Sequence, residues 1–461
     1  MTISRSPSQL ELDLGVPDRG EASHRDAQGI EIVTATAEPE SPASIEHFME
    51  AICDPDNIET ALDAVVRNKG APGIDGITVK QLPSILKARW REIEEQLLQG
   101  RYQPQPVRRV EIPKPDGGMR KLGVPTVLDR MIQQAVMQVL QGSWDNTFSE
   151  SSYGFRPGRS AHQAVARAQQ HIAAGYRWVV DLDLEKFFDR VNHDRLMGQI
   201  ARRVHDKRLL RLIRSWLKAG VLENGLVGPT DEGTPQGGPL SPLLSNLVLD
   251  QLDRELERRG HRFARYADDC NIYVRSRRAG QRLMGGLTRL LEGKLKLKVN
   301  REKSAVARPW ERKFLGFSFT NGRQPKRRIA PKAKSRFEAR IRILTRRTRG
   351  ISIETMVREL GRYLQGWQGY FGFCQTPTVL DRFNKWIRRR LRSAACKQWR
   401  TGKTRYARLR ELGLSHDLAA RTAGHQWGPW RLSRTEALSY AMPAAYFDRL
   451  GLPSLRCTAG A

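Results

Sequence analysis

RYADDCNIYVRS, residues 265–276, sets two aspartates side by side between apolar stretches. The pattern reads as two short strands joined by a tight turn, with Asp268 and Asp269 at the turn. Adjacent carboxylates repel each other, and burying them unpaired is costly or shifts their pKa. Something cationic must therefore face this turn, either an arginine or a metal ion.

A second pair of aspartates lies upstream. In VVDLDLEKFFDR (179–190), Asp181 and Asp183 are two residues apart, so on a strand they point to one face. If this strand neighbours the 265–276 hairpin, three or four carboxylates converge, and such a cluster needs cations. Oxygen-only ligands suit Mg²⁺, which keeps its waters and bridges to substrate phosphates. A pair of Mg²⁺ ions activates a 3′-hydroxyl and holds the leaving pyrophosphate. Singly, each aspartate reads as a helix cap or a salt-bridge partner; together they suggest nucleotidyl transfer.

The bulk numbers agree. The chain has 461 residues and a formal net charge of +30, from 79 Lys+Arg against 49 Asp+Glu. That length implies two to four domains, and that charge implies a polyanionic partner, with nucleic acid the commonest one. The five cysteines contain no C-x2-C spacing, so neither a zinc knuckle nor a disulfide framework is indicated. A reducing cytoplasm fits. No long uncharged apolar run and no basic-then-apolar start occur, so neither a membrane span nor a signal peptide is expected.

Residues 1–43 hold eight acidic and three basic residues without apolar periodicity, the pattern of a disordered arm. Helices are expected at 58–70, 80–98 and 126–142, and across 193–219. VRRVEIPKPDGGMRKLGVP (107–125) reads as a hairpin about a PDGG turn, carrying Lys114, Arg120 and Lys121. Ser160 is placed to cap a helix. GTPQGGPLSPLLSN opens another helix, LTRLLEGKLKLKVN reads as a helix and then a strand, and KFLGFSFT (313–320) as a further hairpin element. Strands alternating with helices over about 70–320 argue for an α/β or α+β domain. Beyond it, residues 322–350 and 381–410 each hold twelve Lys/Arg against one acidic residue, with Trp367, Trp386 and Trp399 interleaved. Amphipathic helices are expected at 353–372 and 381–399. Phosphate contacts by these cations, and stacking of bases on the tryptophans, suit RNA or DNA; core packing is the favoured reading for Trp367.

The turn YADD resembles the signature of reverse transcriptases. PGIDGIT, IPKPDGGMRKLGVPTVLDR, SYGFRPGRSAH, DLEKFFD, GTPQGGPLSPLLSN, RYADD, EKS and FLGF follow in the order seen in group II intron-encoded reverse transcriptase/maturases, and LGRYLQGWQGYF resembles their maturase or thumb segment. The resemblance runs from about residue 45 to the end. It implies an α+β right-hand polymerase: a disordered arm (1–43), fingers and palm (44–320), a helical thumb or maturase domain (321–375), and a small basic C-terminal DNA-binding region (376–461).

Residue by residue, the resemblance implies that Asp183, Asp268 and Asp269 are the catalytic, metal-binding triad for two Mg²⁺ ions, with dNTPs as substrates. Asp181 is then a structural neighbour. Phe188 matches the residue beneath the incoming sugar, where an aromatic ring excludes a 2′-hydroxyl. Lys114 and Arg120 match the cations that clamp a triphosphate. Gln236 lines the nucleotide pocket, Lys303 sits where a general acid for pyrophosphate has been proposed, and Phe314, Leu315 and Gly316 match the primer grip. Core packing for Phe188, a solvated hairpin for Lys114 and Arg120, and a plain hydrophobic turn for FLGF are the bland alternatives.

The implied protein is an RNA-directed DNA polymerase of the bacterial cytoplasm and nucleoid. It would bind its intron RNA, assist splicing, and copy the intron into target DNA through an RNA/DNA hybrid during retrohoming. The CxxC pairs of an HNH nuclease are missing, which resembles compact members lacking that domain. Two rivals stand beside this reading: a splicing-only RNA-binding maturase, and a retron, CRISPR-associated or domesticated reverse transcriptase.

Overall fold

The computed structural model describes residues 47–113, 118–223, 226–228, 233 and 237–456. The 1–43 arm, Lys114, Gln236 and Cys457 lie outside the described residues. The chain divides into two compact units. One holds the residues up to Ala168 and Tyr176–Ala307; the other holds Gln169–Gly175 and everything from Arg308 onward.

The first unit opens with α1 (Phe48–Cys53), α2 (Pro55–Arg67) and α3 (Leu82–Leu98). Asp54 starts α2 by accepting from the Asp56 and Asn57 backbone N–H groups, with a proline at the first helical position. The expected finger hairpin is present as β1 (Val107–Pro113) and β2 (Met119–Val124), in a register that pairs Ile112 with Arg120 and Pro113 with Met119. Next come α4 (Val127–Trp144) and α5 (Ala161–Ala173). Ser160 accepts from the Gln163 N–H (3.3 Å) while the Gln163 side chain accepts from the Ser160 N–H (2.8 Å), a reciprocal cap.

After β3 (Trp178–Leu182), the 193–219 stretch forms two helices, α6 (His193–Ala201) and α7 (Lys207–Lys218). The break has a cause: Asp206 accepts from the Arg208 N–H and starts α7 afresh. The short strands β4 (Val221–Glu223) and β5 (Leu226–Gly228) join the finger hairpin in a sheet of order β2-β1-β4-β5. Then come α8 (Ser241–Arg258), the hairpin β6 (Arg262–Tyr266) and β7 (Asp269–Val274), α9 (Arg277–Arg289) and β8 (Ala305–Ala307). The second sheet has the order β6-β7-β3-β8, so β3 is sandwiched between β7 and β8. Val180, Leu182 and Ile272 of this sheet are buried in one core with Leu247, Leu252 and Leu287 from the helices.

One expected strand is corrected. KLKLKVN carries no ladder; α9 runs on into a π-helical turn (Leu290–Leu295), and only Val299 makes an isolated bridge, to Leu184. Leu295, Leu297 and Val299 are buried all the same. The apolar alternation was real, but the free edge of β3 is taken by β8 instead.

In the second unit, β9 (Phe317–Phe319) and β10 (Arg327–Ile329) form a hairpin. The helices α10 (Pro331–Leu344), α11 (Ile353–Phe371) and α12 (Thr378–Gln398) follow, then the shorter α13 (Gly402–Glu411), α14 (His416–Gly424), α15 (Pro429–Leu432), α16 (Glu436–Ala441) and α17 (Ala444–Arg449). Trp367 is buried, with its ring centroid 4.1 Å from that of Phe337 and 4.9 Å from that of Phe371. Part of the basic sequence also turns inward. Arg390 donates to the Thr345 hydroxyl, Arg392 donates to the Met442 carbonyl, and Arg389 stacks 3.9 Å over Trp430. No helix among the described residues is long and apolar enough to cross a membrane.

Candidate active site

The YADD turn joins β6 to β7, with Tyr266 paired to Asp269 across it. Ala267 takes a left-handed conformation (φ 55°) to make so tight a turn. On the far side of β7, Leu182 of β3 pairs with Cys270 and Asp181 with Asn271. Asp183, the next residue after β3, therefore emerges beside the turn. Asp268 is half-buried and Asp269 exposed. Burial raises the Asp268 carboxyl above its ordinary range, the Asp183 charge raises it further, and the Arg120 charge pulls it back down. Asp183, Asp268 and the finger-hairpin Arg120 are thus within electrostatic reach of one another.

The backbone of Asp183 is clamped from the chain before β8. Its N–H donates to the Ser304 hydroxyl (3.0 Å), and its carbonyl accepts from the Asn300 N–H (2.9 Å) and from that same hydroxyl (3.2 Å). Lys303 is the residue before Ser304, on an exposed turn whose backbone is held by the Asn300 side chain. Sequence reasoning used EKS only for Lys303 and missed Ser304; the motif was the available signal.

The turn itself is gripped by Arg265, which sequence reasoning also missed. This fully buried guanidinium binds the Asp253 carboxylate, the Asn246 side-chain oxygen (3.0 Å), the Ser152 hydroxyl (2.7 Å) and the Ala267 carbonyl (2.9 Å). Burial works against its charge, but Asp253 outweighs burial and holds Arg265 above its ordinary value. An arginine does stand at this turn, but it binds Asp253 and the turn's backbone, not the paired aspartates.

Phe188 lies in a one-turn 3₁₀ helix (Phe187–Asp189), half-buried against the core and edge-on to Phe187 (5.2 Å). Gln236 is outside the described residues, but both flanks of its loop are placed. A Cβ on Gly233 would stand 2.9 Å from the Phe188 carbonyl oxygen, and one on Gly237 would stand 2.7 Å from that of Gly123 on β2. Phe314, Leu315 and Gly316 belong to the second unit. There, Leu315 (φ 50°) and Gly316 (φ 78°) form a two-residue turn closed by Phe314–Phe317 hydrogen bonds, and Tyr370 donates to the Leu315 carbonyl (2.8 Å). A cavity of about 560 Å³ lined by Arg195, Arg202, Arg254, Arg258 and Lys294 contains none of these residues.

Among the described residues, no three or more Asp, Glu, His or Cys side chains stand together as a ready-made metal cage. The donor set nonetheless suits Mg²⁺, which is commonly held by one or two carboxylates completed by water and substrate phosphates. The mutual repulsion of Asp183 and Asp268 is what such a cation would relieve.

Residues 112–319 match the family described as reverse transcriptase (RNA-dependent DNA polymerase), and residues 334–413 match the group II intron, maturase-specific domain. The chain is 33% identical over 302 residues to Protein YkfC of Escherichia coli (strain K12), covering 57% of this chain and 79% of that one. It is 40% identical over 201 residues to the group II intron-encoded protein LtrA of Lactococcus lactis subsp. cremoris.

The chain belongs to the group II intron-encoded reverse transcriptase/maturase family.

The LtrA match covers 43% of this chain and 33% of LtrA, so the chain spans about a third of that relative's length. Among solved structures, a chain of the "Partial Cas6-RT-Cas1--Cas2 complex" is similar at 27% identity and a TM-score of 0.35, covering 53% of this chain and 42% of that one. In the family's terms, the sheet carrying the YADD turn is the palm, the β1–β2 hairpin belongs to the fingers, and the region after them is helical.

Proposed function

We propose that this chain is an RNA-directed DNA polymerase and maturase that binds its group II intron RNA, assists its splicing, and copies the intron into target DNA during retrohoming. One observation carries the polymerase part: the β3–β7 register brings Asp183 beside the YADD turn, where its charge acts on Asp268. In this reading, Asp183, Asp268 and Asp269 hold two Mg²⁺ ions. Bound there, the metal makes the 3′-hydroxyl a better nucleophile and stabilises the departing pyrophosphate. Arg120, with Lys114, binds the triphosphate. Phe188 fills the space beneath the sugar and favours deoxynucleotides, Gln236 lines the nucleotide pocket, and Lys303 delivers a proton to the leaving group. Phe314, Leu315 and Gly316 hold the primer strand.

Residues 44–320 act as fingers and palm, 321–375 as thumb and maturase domain, and 376–461 as a DNA-binding region. The net charge of +30 supports binding of intron RNA, target DNA and the RNA/DNA hybrid. The bacterial cytoplasm, at the nucleoid, is where these partners meet.

The test is primer extension on an RNA template by the Asp268→Asn/Asp269→Asn variant. Synthesis should fall by at least roughly a hundred- to a thousandfold, the scale on which losing one electrostatic stabiliser of a transition state acts. Binding of intron RNA, and the splicing it assists, should persist. Extension at the wild-type rate would sink the polymerase assignment.

A further inference from the structure

Phe155, in SSYGFRPG, is an exposed aromatic in a backbone conformation that bulky residues avoid. Its φ is 59° and it is 40% exposed. Left-handed backbone costs an L-residue roughly 1–2 kcal/mol, which glycine escapes.

The loop on either side is fixed by buried polar contacts. Before Phe155, Asn246 donates to the Gly154 carbonyl (2.8 Å), and the Tyr153 N–H donates to the Arg265 carbonyl (2.9 Å). After it, Arg156 is buried and donates to the Asp145 carboxylate (3.0 Å) and to the carbonyls of Ser149 (2.7 Å), Ser152 (3.1 Å) and Asp145 (2.7 Å). The Phe155 carbonyl accepts from Gln141 (3.3 Å). The strain is therefore imposed by the surroundings, and its result is a ring held out beside the YADD turn, 6.4 Å from the Tyr266 ring at an interplanar angle of 42°.

Tyr266 lies two residues before Asp268. The Phe155–Tyr266 pair therefore stands at the base of the turn that carries Asp268 and Asp269. Nucleotides present apolar sugar and base faces whatever their sequence, and aromatic side chains bind such faces without reading them.

We propose that Phe155, with Tyr266, is a substrate-contacting residue that packs against the sugar and base of the nucleotide at the growing end of the template–primer duplex. The proposal rests on the polymerase reading above. It explains why a strained phenylalanine stands where glycine would be easier to fold.

The experiment uses the full chain and a DNA primer annealed to a defined RNA template. Phe155→Gly removes both the ring and the strain. It should melt no lower than wild type, raise KM for the primer–template about tenfold, within the range for losing one stacking contact, and leave KM for dNTP nearly unchanged. Phe155→Tyr should restore the primer–template KM. A lowered melting temperature with an unchanged primer–template KM overturns the proposal and makes the ring structural. Unchanged values of both overturn it as well. The Asp268→Asn/Asp269→Asn variant, run alongside, separates the two failures: if it still extends primers, the polymerase reading falls; if it is inactive and Phe155→Gly behaves as wild type, only the role of Phe155 falls.

Discussion

Gly154 lies flush against Ala267 at the YADD turn: a Cβ added to it would overlap the Ala267 nitrogen and stand 2.9 Å from the Tyr266 carbonyl carbon. Both obstacles are backbone, so neither can swing away. Gly154→Ala must push the turn and the SSYGF loop apart. Overpacking of this kind costs about 1–3 kcal/mol. The displaced aspartates should also slow synthesis, since misplacing a reacting group by about 1 Å costs roughly a hundredfold. A thermal melt and single-turnover primer extension on the same sample test this, and a wild-type rate in the folded variant contradicts it.

Arg265 and Asp253 form a fully buried pair. Removing one partner strands the other charge, at a cost of about 3–5 kcal/mol. Arg265→Met is therefore expected to be strongly destabilised, and Arg265→Met/Asp253→Leu less so than the single variant. Arg265→Lys should fold better than Arg265→Met yet still lose synthesis, because an ammonium cannot span Asp253, Asn246, Ser152 and the Ala267 carbonyl at once. Chemical denaturation of the set decides; a double variant no more stable than Arg265→Met counts against the pair.

Ser304 bonds both polar groups of the Asp183 backbone. Ser304→Ala should cost about 1 kcal/mol and lower the extension rate several-fold with little change in KM for dNTP. Ser304→Thr keeps the hydroxyl and should recover most of the rate. Equal rates for the alanine and threonine variants would show that the hydroxyl does not position Asp183.

Asp206 ties α7 to the N-terminal helices, accepting from the Arg208 N–H (2.9 Å), the Met49 N–H (3.3 Å) and the Arg208 guanidinium. Burial alone would raise its carboxyl; the Arg208 and Met49 contacts outweigh burial and hold it below the ordinary range. A depressed folded pKa contributes stability that is present above the unfolded aspartate value of about 3.9 and is lost as pH falls through the folded value. Asp206→Asn should therefore lose about 1.5–3 kcal/mol at neutral pH, the worth of hydrogen bonds to a charged group, and be less sensitive to acid than wild type below pH ~4. Parallel acid-unfolding curves for the two proteins would exclude Asp206 as a source of that sensitivity.

The parts of this architecture that depend on local pattern were readable from sequence. The β6–β7 hairpin, the finger hairpin, the Ser160 cap and helices α11 and α12 follow from alternation, turn residues and amphipathic spacing. What escaped depends on distant partners. Arg265 shows no local sign of a partner until α8 brings Asp253 and Asn246 to it. KLKLKVN has the period of a strand but not the ladder, because β8 occupies the edge it would have used. Arg390 and Arg392 read as phosphate contacts, and only helix packing shows that they bond Thr345 and Met442. Ser304 was visible within EKS, but nothing local indicates a partner 121 residues away.

That separation has a temporal side. β3 is made early, yet both strands that flank it, β7 and β8, come from much later in the chain. While it is being synthesised, a nascent chain holds WVVDL with neither neighbour and Asp183 without its clamp. Closing a loop of this length carries a sizeable entropic cost before any contact rewards it. A ribosome stalled short of Ser304 would thus expose an apolar strand that is a target for chaperones. The β3–β7–β8 sheet can therefore be completed only after Ala307 has been made.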